Sequence, residues 1–172
     1  RLTQNEQAYR AIIRRKTGTL IAASCRLGGM LSDAPASFLD VLEEFGEALG
    51  MAFQLSDDIM DITSTQLELG KEPGVDMKEG VYTLPVLHAL ATGERRDELA
   101  RLLVAGPPAE ERLDRALEIV REGDSLAHAR AAVATEVSRA TDLARRLPDN
   151  VARGALITLA EFLATRCGAR RS

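Results

Sequence analysis

Residues 54–61 read Gln54-Leu55-Ser56-Asp57-Asp58-Ile59-Met60-Asp61. At 100° per residue, Gln54, the Asp57-Asp58 pair and Asp61 fall at i, i+3/i+4 and i+7, one continuous polar stripe on a helix. Met51, Phe53, Leu55, Ile59, Met60 and Ile62 flank it, so the stripe runs along a helix that is otherwise apolar. Three carboxylates within two turns repel one another, and burial penalises their charged form unless cations compensate. Arginines in that role make a structural ion-pair network. The other compensation is a hard metal ion, and oxygen ligands with room for water suit Mg²⁺, which joins one or two carboxylates to substrate phosphates. A calcium hand is excluded by register. With Asp57 at loop position 1, Asp61 and Glu68 fall at positions 5 and 12, but Ile59 takes position 3 and Ile62 stands where glycine is required.

A second anomaly lies near the start of the chain. Lys16 and Thr17 interrupt the apolar series Ile12, Ile13, Leu20, Ile21 at positions where core residues belong. Either Lys16 snorkels to the surface or pairs with an acid, or its ammonium meets a phosphate while the Thr17 hydroxyl donates beside it. A third feature is Gly70-Lys71-Glu72-Pro73-Gly74-Val75-Asp76. Glycines let backbone approach a ligand and Lys71 has the reach for a phosphate, although the same run also suits plain solvent loop. The Walker spacing GxxxxGK[ST] is missing, and no serine lies in a G-x-S-x-G context. His88 and His128 have no partner at ligand spacing and read as satisfied or exposed side chains. Cys25 reads as a buried structural thiol.

The elements that must position these residues are helices. The chain has 172 residues, enough for one domain with a core, and 45% hydrophobic against 28% charged residues is an ordinary globular mix. Only four Phe and two Tyr are present, with no Trp, whereas alanine is abundant, a balance that favours close helix packing over sheets. Thr3 and Glu6 form a capping box before a periodic run that predicts a first helix over about 4–30, its end frayed by Gly28 and Gly29. A break at Ser32, Asp33 and Pro35 precedes a long second helix from about Ser37 through Ile59, apolar nearly all round and therefore central. Residues 63–82 predict a loop of a length that is usually functional. Helical signals return over 83–91, 97–104, 109–121, 125–147 and 150–167, with no internal repeat.

Charge narrows the partners. Net charge is −4, which leaves no basic excess for a nucleic-acid backbone. Residues 54–82 hold seven acids against Lys71 and Lys78, so the rest of the chain sums to +1. The apolar stretch Gly154 to Ala164 is far short of a membrane span, and with no basic-then-apolar pattern before Leu2 the expectation is a chain that does not span a membrane. Two cysteines without CxxC spacing make a reduced, cytoplasmic setting the default.

Taken together, Tyr9, Ile13 and Lys16-Thr17-Gly18 with Leu20-Ile21, Phe45-Gly46 with Leu49-Gly50, Ala52 through Asp61, and Gly70-Lys71 through Gly74, Asp76, Glu79-Gly80 and Thr83-Leu84-Pro85 resemble the second half of a trans-type polyprenyl diphosphate synthase. The match runs in order over residues 9–90. The resemblance implies an all-α, isoprenoid-synthase-type bundle around a central cavity, usually a homodimer. It implies that isopentenyl diphosphate is added to an allylic diphosphate with loss of pyrophosphate, helped by Mg²⁺. By position it makes Asp57 the direct Mg²⁺ ligand, with Asp58 and Asp61 holding metal-bound waters or orienting the cluster. Lys16 and Lys71 contact the allylic diphosphate, while Thr17 and Gln54 line the reacting centre.

Two departures stand out. Many members carry a lysine between the counterpart of Gly80 and Thr-Leu-Pro, where this chain has Val81 and Tyr82. The family's first aspartate-rich motif and its isopentenyl-binding basic residues have no counterpart in the 172 residues. The expectation is a single helical domain, the C-terminal half of a synthase about twice as long, inactive by itself. The alternatives are a non-catalytic helical or regulatory subunit of a heteromeric synthase, a class I terpene cyclase, which lacks the loop and Thr-Leu-Pro pattern, and a pure scaffold bundle.

Overall fold

The structure, a computed structural model, describes residues 5–64, 72–104 and 108–168, all of them helix, turn or irregular backbone with no strand among them. The helices are α1 (Glu6–Ile13), α2 (Thr19–Leu31), α3 (Ala36–Thr63), α4 (Val75–Lys78), α5 (Leu84–Thr92), α6 (Arg96–Val104), α7 (Glu110–Glu122), α8 (Ser125–Ala144) and α9 (Val151–Arg166), with a π-helical turn over Arg14–Gly18. The all-α expectation holds, and no helix among the described residues is long and apolar enough to cross a membrane.

Packing groups the chain into two compact units, each drawn from two separate stretches: Arg10–Ser56 with Arg130–Ser172, and Arg1–Tyr9 with Asp57–Ala129. In the first, the middle turns of α3 bury Phe45, Ala48, Ala52 and Leu55. Close helix approach follows from small residues at matched positions. A Cβ at Gly46 would stand 2.7 Å from the Ala22 Cα, and one at Gly50 would stand 2.8 Å from the Gly18 Cα, so only glycine admits the neighbouring backbone. Glu47, one residue after Gly46, accepts from Arg139 at 3.2 Å and lies 3.6 Å from Arg14. Asn150 caps α9, its side chain accepting from the Arg153 N–H at 3.0 Å.

The second unit buries Ile59, Ile62, Met77, Leu84, Leu117 and Val120. Thr83, in extended conformation, precedes α5, and Pro85 occupies its first turn, where a missing N–H costs nothing. Tyr82 is buried with its hydroxyl donating to the Leu103 carbonyl at 3.4 Å.

Two predicted features differ. The first helix is not one uninterrupted α-helix, because the π turn inserts an extra residue into its winding at Lys16, Thr17 and Gly18. Its end does not fray at Gly28 and Gly29: α2 continues to Leu31, and Gly29 is buried where a Cβ would stand 2.7 Å from Leu42 Cδ1.

Candidate functional site

In the first unit the site begins at the π turn. Thr19 N–H donates to the Arg14 carbonyl five residues back, and Thr19 Oγ1 donates to the same oxygen at 3.1 Å. Such single wide turns are rare and are frequent at functional positions. Within it, the half-buried Thr17 donates from its hydroxyl to Gln54 Oε1 at 2.9 Å. The close approach at Gly18 and Gly50 fixes this pair, since Thr17 adjoins Gly18 and Gln54 lies one helical turn beyond Gly50. Lys16 is exposed and takes part in no ion pair among the described residues. Phe53 lies under the Arg166 guanidinium, 5.4 Å from ring centroid to Cζ.

In the second unit the last two turns of α3 carry the aspartates. The helix is continuous through them, so the sequence-derived spacing stands. Their surroundings differ: Asp57 is half-buried, whereas Asp58 and Asp61 are 2% and 4% exposed. Asp58 Oδ2 accepts from the Tyr9 hydroxyl. Asp61 Oδ2 accepts from the Asp76 N–H at 3.3 Å, and the Asp61 carbonyl accepts from the Gly74 N–H at 2.7 Å. Gly74 has φ +77°, a conformation that a side-chain-bearing residue adopts only under strain, and this turns the chain back onto the end of α3. Arg121 Nε donates to the Ile62 carbonyl at 2.7 Å, satisfying a terminal acceptor of the helix.

Lys71, predicted to reach phosphate, and Gly70 before it lie outside the described residues. Val81, in place of the common lysine, is exposed, an apolar side chain in water. Sequence reasoning quoted Tyr9 for the resemblance but gave it no role, and its partner Asp58 is 49 residues away. His88 and His128, expected to be satisfied or exposed side chains without a partner at ligand spacing, meet each other. Their rings stack with centroids 4.2 Å apart, His88 Nδ1 is 3.2 Å from the buried Ser125 hydroxyl, and His128 Nε2 is 2.9 Å from Glu6. Burial, and then the neighbouring His128, hold the His88 imidazole below its ordinary value. A cavity of about 680 Å³ adjoins the pair, lined also by Thr92, Arg95 and Asp124 and by none of the predicted site residues.

The donor chemistry tests the expected metal. Among the described residues no three His, Cys, Asp or Glu side chains form a closed cage. Mg²⁺ does not ask for one: it keeps several waters and binds through one or two carboxylates and phosphate oxygens. The three aspartates, with Asp57 half-buried, supply carboxylate oxygen that fits Mg²⁺ as part of a site, and the stripe offers neither thiolate nor imidazole to a softer metal.

Comparisons with known proteins bear on the family and the fold. A model of the polyprenyl synthetase family matches residues 1–120. The chain is 37% identical over 163 residues to nonaprenyl diphosphate synthase of Mycobacterium tuberculosis, covering 94% of this chain and 49% of that protein. It is 35% identical over 165 residues to heptaprenyl diphosphate synthase component 2 of Bacillus subtilis, covering 96% and 47%. Among solved structures, the polyprenyl synthase from Caulobacter crescentus, complexed with calcium and isoprenyl diphosphate, superposes with a TM-score of 0.89 at 32% identity, covering 100% of this chain and 52% of that one. Geranylgeranyl pyrophosphate synthase from Corynebacterium glutamicum gives 0.85 at 38% identity, covering 94% and 51%. The chain thus spans about half the length of the relatives it matches. With the family's sequence pattern extending over residues 1–120 and its fold over nearly all of the chain, this protein belongs to the polyprenyl synthetase family.

Proposed function

We propose that this chain supplies the C-terminal half of an Mg²⁺-dependent trans-prenyltransferase, which joins isopentenyl diphosphate to an allylic diphosphate and releases pyrophosphate. The observation that carries the reading is the aspartate stripe of α3, with two members buried and hydrogen-bonded and the third facing partly into water, in a chain of this family. A carboxylate kept buried at the end of a helix, where the macrodipole is already negative, is a cost that cation binding offsets.

In this reading Asp57 is the direct ligand, while Asp58 and Asp61 hold metal-bound water or orient the cluster. Mg²⁺ when bound supplies positive charge to the departing pyrophosphate. Lys16, exposed and without an ion pair among the described residues, contacts the allylic diphosphate, and Lys71 does the same from the following segment. The Thr17 hydroxyl and Gln54 amide, each orienting the other at 2.9 Å, line the reacting centre. There the allylic C–O bond breaks, C4 of isopentenyl diphosphate bonds to the allylic carbon, and a proton leaves to form the new trans double bond. The facing carboxylates, the isopentenyl site and the remaining walls of the central cavity come from the other half of the fold. A homodimer in the cytoplasm completes the reading, and the free thiols Cys25 and Cys167 accord with a reducing compartment.

The test is Mg²⁺-dependent binding of pyrophosphate, measured on the native protein and on Asp57→Ala. Metal-dependent binding that the variant loses supports the reading, whereas metal-independent or unchanged binding overturns it. The 172-residue chain alone should not elongate geranyl or farnesyl diphosphate with isopentenyl diphosphate and Mg²⁺. Turnover by it would show that no second half is needed.

One observation favours a second reading, in which the chain is part of a heteromeric synthase: matched relatives in Bacillus subtilis and Geobacillus stearothermophilus are named component 2 of heptaprenyl diphosphate synthase. Intact aspartates then make it the catalytic component. Purification of the native assembly separates the two, since a single chain type supports the homodimer and two types support the heteromer.

A further inference from the structure

The α1 residue Tyr9 is 4% exposed, and its hydroxyl donates to Oδ2 of Asp58, itself 2% exposed. If the position served only to fill space, phenylalanine would fill the same volume with no polar atom to satisfy. What tyrosine adds is a hydroxyl aimed at a buried carboxylate, and O–H···O⁻ bonds of this kind are about twice as strong as neutral ones. A carboxylate held at one oxygen no longer swings freely about its Cβ–Cγ bond, so its other oxygen is presented in one orientation. The neighbour in sequence, Asp57, is half-buried, so the two adjacent carboxylates differ in setting: one enclosed, one partly open toward water. Ligand-orienting groups in other metal sites behave similarly, and their removal typically costs 10–100-fold in metal affinity.

We propose that Tyr9 is a positioning residue for the metal site: by fixing Asp58 through this hydrogen bond it orients the cluster in which Asp57 binds Mg²⁺. The inference rests on the prenyltransferase reading above and adds a residue to that site. Tyr9 touches neither substrate nor metal in this account and acts only through Asp58.

The experiment measures Mg²⁺-dependent pyrophosphate binding by calorimetry in the whole protein that carries this chain, together with the melting temperature of the metal-free form. Tyr9→Phe should weaken the apparent Mg²⁺ affinity by about 10-fold. In an Asp58→Ala background the same substitution should cost less than about twofold further, because the two residues form one unit. Placing p-aminophenylalanine at position 9, which keeps a donor near the same point, should recover most of the affinity, and it also decides the matter if Tyr9→Phe fails to fold. An unchanged Mg²⁺ titration in Tyr9→Phe, a full independent loss in the Asp58→Ala background, or no recovery with the amino analogue would each overturn the proposal while leaving the prenyltransferase reading intact. Absence of metal-dependent binding in the native protein would overturn both.

Discussion

Asp57 and Asp61 stand one helical turn apart near the C-terminal end of α3, a like-charge pair at i, i+4 in a place that favours cations. Neutralising the open member should relieve the repulsion. Asp57→Asn is expected to stabilise the metal-free protein slightly, by about 0.5 kcal/mol read as a small rise in melting temperature, while abolishing Mg²⁺-dependent pyrophosphate binding. A parallel loss of stability would mean instead that Asp57 is a structural residue. The imidazole of His88 makes a separate prediction. Its proton is disfavoured in the folded state by burial and by His128, with Glu6 and Asp124 opposing and Ser125 and Thr92 as neutral neighbours. The unfolded chain therefore binds the proton more readily, and stability is lost as pH falls through the window just below about 6.5. Melting temperature should drop between pH 7.5 and 5.5, and His88→Gln should reduce that drop; an equal drop in the variant would assign the effect to other groups. At this scale the aspartate stripe was legible in sequence because its members share one helix and a fixed 100° step. The Tyr9–Asp58 bond and the His88–His128 stack were not, because nothing local links residues separated by 49 or 40 positions.

Helices α2 and α3 were legible as elements from their apolar spacing and the Ser32–Pro35 break, and their bounds shift by only a few residues. The π turn was not, since hydropathy periods assume uniform winding; its trace in the sequence was the interruption of the apolar series at Lys16 and Thr17, read there as a change of chemistry. The glycines separate close approach from mere permissiveness. At Gly50 a new Cβ would meet the Gly18 Cα at 2.8 Å and the Thr17 carbonyl oxygen at 3.1 Å, both backbone atoms that cannot rotate away. Gly50→Ala should destabilise by about 1–3 kcal/mol and disturb the Thr17–Gln54 pair. Gly28, within α2 and exposed, has nothing within 4 Å of its Cβ direction. Gly28→Ala should stabilise by up to about 1 kcal/mol, the ordinary helix-propensity gain. Thermal melts of the two variants check both signs, and a stabilised Gly50→Ala would remove the packing account of the site.

At the scale of the whole molecule, sequence order and spatial order diverge. Each compact unit is assembled from two stretches, and α1, α3 and α8 each give residues to both units. Fold class was legible because alanine-rich, aromatic-poor composition and repeated 3.6-residue periods agree over the chain; the grouping into units was not, because it depends on long-range pairings that no local pattern encodes. It follows that α9 groups with the π turn and not with α6 and α7. Deleting 151–168 should lower the stability of the unit that holds Thr17 and Gln54, with hydrogen-exchange protection lost first over 19–55; selective loss in 84–104 would contradict this grouping.

The wide turn at Arg14–Gly18 has a consequence for how such a chain can vary. A wide turn absorbs an extra residue: five residues advancing by roughly 80° each turn through about the same angle as four at 100°, so the segments on either side keep their phase. Winding the same five residues as ordinary α-helix would rotate α1 by roughly 100° about its own axis and carry Tyr9 off the face that meets Asp58. A one-residue deletion in 14–18 that restores ordinary winding would, by contrast, leave Tyr9 in phase with Asp58, so this segment tolerates the loss of a residue better than a forced change of its winding.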